Sequence, residues 1–146
     1  MRVRQNRNAK VFGYFSHHIR GIKGDDATPA EREANCAICR EVAHKIMDDF
    51  PEIDLYVPAD HEEFPSLAMD LGYMDEAGAI LAVDCAIIGQ RDFVIAHYKD
   101  NFVSNGMQVE IDYAVDNRTP LFPFINYNRI VKERLEKFLT NLGAYE

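Results

Sequence analysis

Two carboxylates stand where side chains ought to be apolar. Glu110 follows Ser104, Asn105 and Gly106 in the stretch VSNGMQVEIDYAVDN, Val103 to Asn117. Ser104 is a good helix N-cap, with Asn105 and Gly106 in the first turn. Met107, Ile111, Ala114 and Val115 then fall on one apolar face of a helix, and Glu110 sits on the edge of that face. Asp84 lies in the middle of a second stripe, Ala77, Ile80, Leu81 and Ile88. A carboxylate beside a core is costly unless it is paired or used. Asp84 therefore reads either as a buried group capping a neighbouring loop or as a partner for Glu110. Two inward-facing carboxylates on adjacent helices suit acid–base or nucleophilic chemistry at a glycosidic carbon. The helix start at Ser104 is the kind of place where an anion binds.

Basic and imidazole groups cluster in the segments SHHIRGIKGDD, PADHEEF and HYKDNFVSNG. They include Arg20, Lys23, His17, His18, His61 and Lys99, which are either solvated loop groups or parts of an anion site. No H-E-x-x-H occurs, and Cys36 and Cys39 form a lone C-x-x-C within a predicted helix, so no metal site is expected. GIKG is too short for the phosphate loop of common ATPases, and the dinucleotide pattern G-x-G-x-x-G is missing. No cofactor is expected.

These groups need a frame to bring them together. KVFGYFS (Lys10–Ser16), IDLYVP (Ile53–Pro58), DFVIAHY (Asp92–Tyr98) and TPLFPFI (Thr119–Ile125) read as strands, the last at a sheet edge because of its prolines. Thr28 to Glu31 is a capping box with Pro29 at the first helical position. It opens a helix to about Asp49 with Ala34, Ile38, Val42 and Ile46 on its apolar stripe. Further helices run from about Asp75 to Gln90, from Ser104 onward, and through YNRIVKERLEKFLTNLG. On the last, Ile130, Leu135, Phe138, Leu139 and Leu142 are apolar, and Gly143 is the stop. The segment between Ala59 and Ala79 reads as a short helix and a turn. Strands alternate with helices, which predicts a doubly wound α/β domain: a parallel sheet of four to five strands, flavodoxin- or Rossmann-like, covered on both faces. Its ligand site belongs beyond the carboxyl ends of the strands, at the switch point.

The chain of 146 residues suits one domain with a full core. Its net charge of −8 argues against a general nucleic-acid binder, and the short basic start MRVRQNRNAK reads as a frayed end. No apolar run reaches membrane-spanning length, no leader-like apolar stretch opens the chain, and three cysteines do not suggest a disulfide framework. The expected setting is the reducing cytoplasm.

Taken in order, these stretches resemble the nucleoside 2-deoxyribosyltransferase superfamily, and within it the 2'-deoxynucleoside 5'-phosphate N-hydrolases and the related CMP hydrolases. YFSHHIRGIKG (Tyr14–Gly24) matches that family's first strand and loop, with Ile22 in place of the second glycine of a pair. Asp60 and His61 match an acidic-histidine turn, Asp84 and Asp92 a spaced aspartate pair, and SNGMQVEIDYAVDNRTPLF its last motif. His17 and His18 depart from the small residues usual there, and Phe64 to Met74 looks like an insertion. The resemblance implies that Glu110 attacks the anomeric carbon of a (deoxy)ribosyl unit and forms a covalent glycosyl ester. Asp84 would assist departure of the base, and Tyr14 would hold Glu110. Arg20, Ser104 and the helix start with Gly106 would hold a 5'-phosphate, His61 would contact the base, and His18, Ile19 and Gly21 would line the substrate. Water would make the protein a hydrolase, and a second base would make it a transferase. A nucleotide sensor, in which no bond breaks, is the reading from another class. The family also implies a homodimer or larger homo-oligomer, with the helix Asp75–Gln90 suited to the interface.

Overall fold

The computed structural model describes residues 9–61 and 77–143. The basic N-terminal stretch before residue 9, the expected insertion Phe64–Met74 and the start of the helix expected from Asp75 lie outside the described residues. Four strands, β1 (Val11–Ser16), β2 (Ile53–Tyr56), β3 (Phe93–His97) and β4 (Leu121–Phe124), form one parallel sheet in the order β2-β1-β3-β4. The helices are α1 (Pro29–Asp49), α2 (Ala77–Ile88), α3 (Asn105–Asp116) and α4 (Arg129–Asn141). The fold is a doubly wound α/β domain. From β1 the chain passes outward to β2, then returns to the other side of β1 for β3. The carboxyl ends of β1 and β3 therefore flank the switch point. β4 is an edge strand, which is where Pro123 is tolerated.

Alternation along β1 sets up both faces. Phe15 packs into the main core with Cys36, Cys39, Ala43 and Ile46 of α1, Phe93 and Ile95 of β3, and Leu135 and Leu139 of α4. Tyr14 turns to the opposite face and packs with Ile88 of α2, Val94 and Ala114 of α3. Ala96, Met107 and Ile111 complete the α3 contact. The capping box forms as expected, with Thr28 Oγ1 accepting from the Glu31 amide at 3.1 Å. Gly143 takes φ +84° just past α4.

Three stripes are rotated from expectation. On α1 the buried face is Asn35, Cys36, Cys39, Ala43, Ile46 and Met47, while Ala34 is exposed and Ile38 is 46% exposed. The reason is Asn35, whose amide bonds backbone carbonyls of the β1 loop and draws its own side of the helix inward. The two thiols below it behave as small apolar groups; burial pushes the Cys39 thiol up to about 12. On α4 Ile130 faces solvent and Val131 packs on the core instead. On α3 Val115 is 59% exposed, and the buried face is Met107, Glu110, Ile111 and Ala114. Glu110 is thus inside the apolar face rather than at its edge.

Gly13 sits between Leu55 and Phe93 in register across three strands. A Cβ at Gly13 would lie 2.4 Å from the Phe93 ring and 2.9 Å from a Leu55 methyl carbon. The missing side chain is the space that Phe93 occupies on its way to Phe138, whose ring centroid is 6.0 Å away. Gly13→Ala should lower stability by about 1–3 kcal/mol through overpacking. Denaturant unfolding checks this; an unchanged midpoint would mean that the sheet yields there freely.

Candidate active site

Tyr14 and Ser16 are two apart on β1, so both point to the face that α3 covers. Both reach one carboxylate. The Tyr14 hydroxyl donates to Glu110 Oε2 in a short bond, and Ser16 Oγ donates to Oε1 at 2.8 Å. Glu110 is only 4% exposed. Burial pushes its carboxyl up, the two hydroxyl bonds pull it down and the charge of Asp84 pushes it up, which together bring it to about 7. Burial and then the charges of Glu110 and Asp84 hold the Tyr14 phenol well above its ordinary value, so Tyr14 keeps its proton and donates. The Tyr14 ring stacks on Tyr56 in register beside it, with centroids 5.6 Å apart.

Glu110 opens into a cleft of about 490 Å³ beyond the carboxyl ends of β1 and β3. Asp84 and Leu81 of α2 form one wall. The loop after β1 supplies His17, Ile19, Arg20, Gly21, Gly24 and Asp25, and the turn after β2 supplies Pro58. The segment before α3 supplies Phe102, Val103 and Ser104, followed by Asn105, Gly106 and Met107 of the helix itself. Ser104 is the N-cap: its Oγ accepts from the Met107 amide at 3.2 Å. Helix geometry leaves the amides of Asn105 and Gly106 without partners inside the helix. Gly106 lies against Leu81, whose methyl would be 3.4 Å from an added Cβ, so α2 and α3 approach closely at the cleft. Arg20, on the cleft wall, forms an ion pair with Asp25.

Of the residues singled out by sequence, Glu110, Asp84, Arg20, Ser104, Gly106, Ile19 and Gly21 meet in this cleft, with Tyr14 directly behind Glu110. His18 and His61 are not among the described lining residues. His18 is buried between loops, bonding the Lys99 carbonyl. His61 stacks flat on Tyr56 at 4.3 Å, and Arg91 lies 5.7 Å from the same Tyr56 ring. Lys23 and Lys99 pair with Glu31 and Asp100 and leave Arg20 as the one cation among the described lining residues. Asp60 is a tether: Arg40 and His44 of α1 each reach its carboxylate at 3.1 Å. Asp92 accepts from the Phe12 amide at 2.8 Å and joins the start of β3 to β1. No group of metal-ligating side chains forms among the described residues.

His17, one of the groups read as loop residues or parts of an anion site, lines the cleft. Its Nε2 accepts from the Ala59 amide at 3.2 Å, which places the proton on Nδ1, 3.2 Å from the His18 carbonyl. Burial pushes it down to about 4, so it is a neutral wall.

The chain has no match among family models, curated proteins or solved structures. The site stands on its own geometry: a buried carboxylate held by two hydroxyls, a second carboxylate across the cleft, and a helix start with an arginine along the same walls.

Because the folded carboxyl of Glu110 titrates near 7 against an ordinary 4.5, ionising it works against folding. Its favourable contribution is full below about 4.5 and is lost as pH rises through 7. Glu110→Gln should therefore be more stable than the wild type at pH 8, by roughly 1–3 kcal/mol, with the advantage gone at pH 4.5. Paired thermal melts at the two pH values check this; an equal difference at both would reject the raised carboxyl.

Proposed function

We propose that the protein is an N-glycosidase that cleaves a (deoxy)nucleoside 5'-monophosphate to free base and sugar phosphate. The observation that carries this reading is the pair of hydroxyl bonds that hold Glu110 at the floor of the cleft. Tyr14 and Ser16 leave the carboxylate acceptor-only and aimed, which suits a nucleophile. One Glu110 oxygen forms a bond to C1' as the bond from C1' to the base nitrogen breaks, and the base leaves with the electron pair. Asp84 stands on the wall where it can supply a proton to that base, directly or through water. Water then attacks C1' and gives a proton back to Asp84, the ester bond breaks, and Glu110 regains its charge.

The energetics favour this order. Glu110 is hard to ionise in the cleft because burial removes water from it. Positive charge that develops on the sugar in an oxocarbenium-like transition state removes that penalty. Stabilisation that appears only in the transition state is the kind that raises rate.

Ser104 precedes Glu110 by six residues, about 9 Å along a helix, which leaves room for a ribose between a phosphate at the helix start and the carboxylate. The free amides at the start of α3 and the guanidinium of Arg20 suit the phosphate, and the carboxylates suit the sugar end. A cleft of about 490 Å³ is of nucleotide scale.

Chromatography over a panel of nucleoside monophosphates should find free base released from at least one, and Glu110→Ala should abolish the release. Nucleotide binding with no release from any member would favour a sensor. Exchange products on adding a second base would identify a transferase. Ser104→Ala should reduce kcat/KM at least ten-fold more for phosphorylated than for unphosphorylated substrates; equal losses would remove the phosphate from the helix start.

Activity should rise with pH through about 7 as Glu110 ionises. Tyr14→Phe removes a bond that holds the carboxyl down, so this limb should move to higher pH. A limb that stays in place would detach Tyr14 from the nucleophile.

A further inference from the structure

Three separate segments meet at His18, on the outer side of the cleft wall. The imidazole is buried, with Nδ1 3.0 Å from Asn35 Nδ2 of α1 and Nε2 2.9 Å from the Lys99 carbonyl oxygen. Phe102 packs edge-on at 5.4 Å between centroids. The amide of Asn35 also donates to the carbonyls of His18 and Ile19. A carbonyl oxygen only accepts, so the ring donates from Nε2 to Lys99, and Nδ1 is left to accept from Asn35, which shares its two amide hydrogens among Nδ1 and the two carbonyls.

Lys99 opens the short turn Lys99–Asn101, in which Asp100 and Asn101 take φ of +60° and +53°. Two successive left-handed residues turn the chain sharply. Asp and Asn enter that region more readily than other side chains but less freely than glycine. Directly after the turn come Phe102, Val103 and Ser104, the wall that leads into α3. One ring thus holds the turn by its carbonyl and Phe102 by its aromatic face.

We propose that His18 is a positioning residue: through the Lys99 carbonyl and Phe102 it holds the Phe102–Ser104 wall, and with it the N-cap of α3, at the spacing a phosphorylated ligand needs. The clamp rests on the hydrogen bonds above; the choice of a phosphorylated ligand rests on the N-glycosidase reading. His18 does not touch the ligand. It differs from a general core residue in that its loss acts on one end of the ligand.

His18→Phe keeps a ring and removes the Nε2 donor, and His18→Gln keeps a donor near the Nε2 position. In hydrogen exchange, amides of 99–107 should exchange at least ten-fold faster in His18→Phe, with Val94 and Ile95 unchanged. His18→Gln should stay within about three-fold of the wild type. In calorimetry, His18→Phe should weaken ribose 5-phosphate at least ten-fold and ribose little, with Gln again restoring the wild-type value. If nucleotide turnover occurs, KM for phosphorylated substrates should rise in His18→Phe with kcat nearly kept.

Nitrogen NMR of the wild type should show His18 with its proton on Nε2, a readout that needs no variant; a proton on Nδ1 overturns the clamp. So does a His18→Phe protein with unchanged exchange in 99–107. No base release from any nucleotide, together with the expected exchange pattern, removes the N-glycosidase reading and leaves the clamp standing. Base release with unaltered phosphate dependence in His18→Phe does the reverse.

Discussion

A carboxylate at the centre of a protein face has to be held, and the way Glu110 is held organises much of this molecule. Its two oxygens take hydrogen bonds from Tyr14 and Ser16 on a single strand. That requires β1 to present two hydroxyls on one face, two residues apart, with α3 lying directly across them. The opposite face of β1 is then free for Phe15 and for the gap at Gly13. Sheet order places this strand at the centre, beside the switch point. The carboxylate is therefore fixed by backbone periodicity on the strand side and by helical spacing on the other. Burial raises its carboxyl to about 7 even so, which means that the bonds reduce the desolvation penalty without cancelling it.

Several loops converge on the same strand ends by side-chain to backbone bonds rather than by regular structure. His17 receives the Ala59 amide, His18 bonds the Lys99 carbonyl, and Asn35 closes the β1 loop onto α1. Asp60, with Arg40 and His44, ties the turn after β2 to α1 as well. Each bond joins segments far apart in sequence. Together they give the cleft walls that do not come from rigid elements, the usual requirement for a site built largely on loops.

The sheet and helices were legible from local pattern. The apolar strands, the Thr28 capping box, the Ser104 cap and the Gly143 stop all act within a few residues. Glu110, Asp84 and Ser104 stand out because a polar group in an apolar stripe and a cap before it are visible in one dimension. The α1 stripe was misjudged because two apolar rows overlap on that helix. Asn35, polar by type, decides which row turns inward through contacts with a loop. His18 and His61 lie off the described cleft lining for the same reason. A histidine after a strand looks like a ligand-facing group until its partners, Lys99 in one case and Tyr56 in the other, are known. Period and spacing carry the elements; side-chain to backbone bonds between distant segments have no period to read.

The ion pair between Arg20 and Asp25 gives the cleft a resident anion. Any ligand that reaches this guanidinium exchanges with a carboxylate already there, so its binding is a replacement and not a simple addition of charge. The pair is open to water, which makes release of Asp25 inexpensive. A monoanion would gain little by the exchange, because it offers what Asp25 offers already. A dianion with three acceptor oxygens gains more, in charge and in hydrogen bonds. On the proposed reading, selection between acids of different valence would begin at this ion pair on the cleft wall.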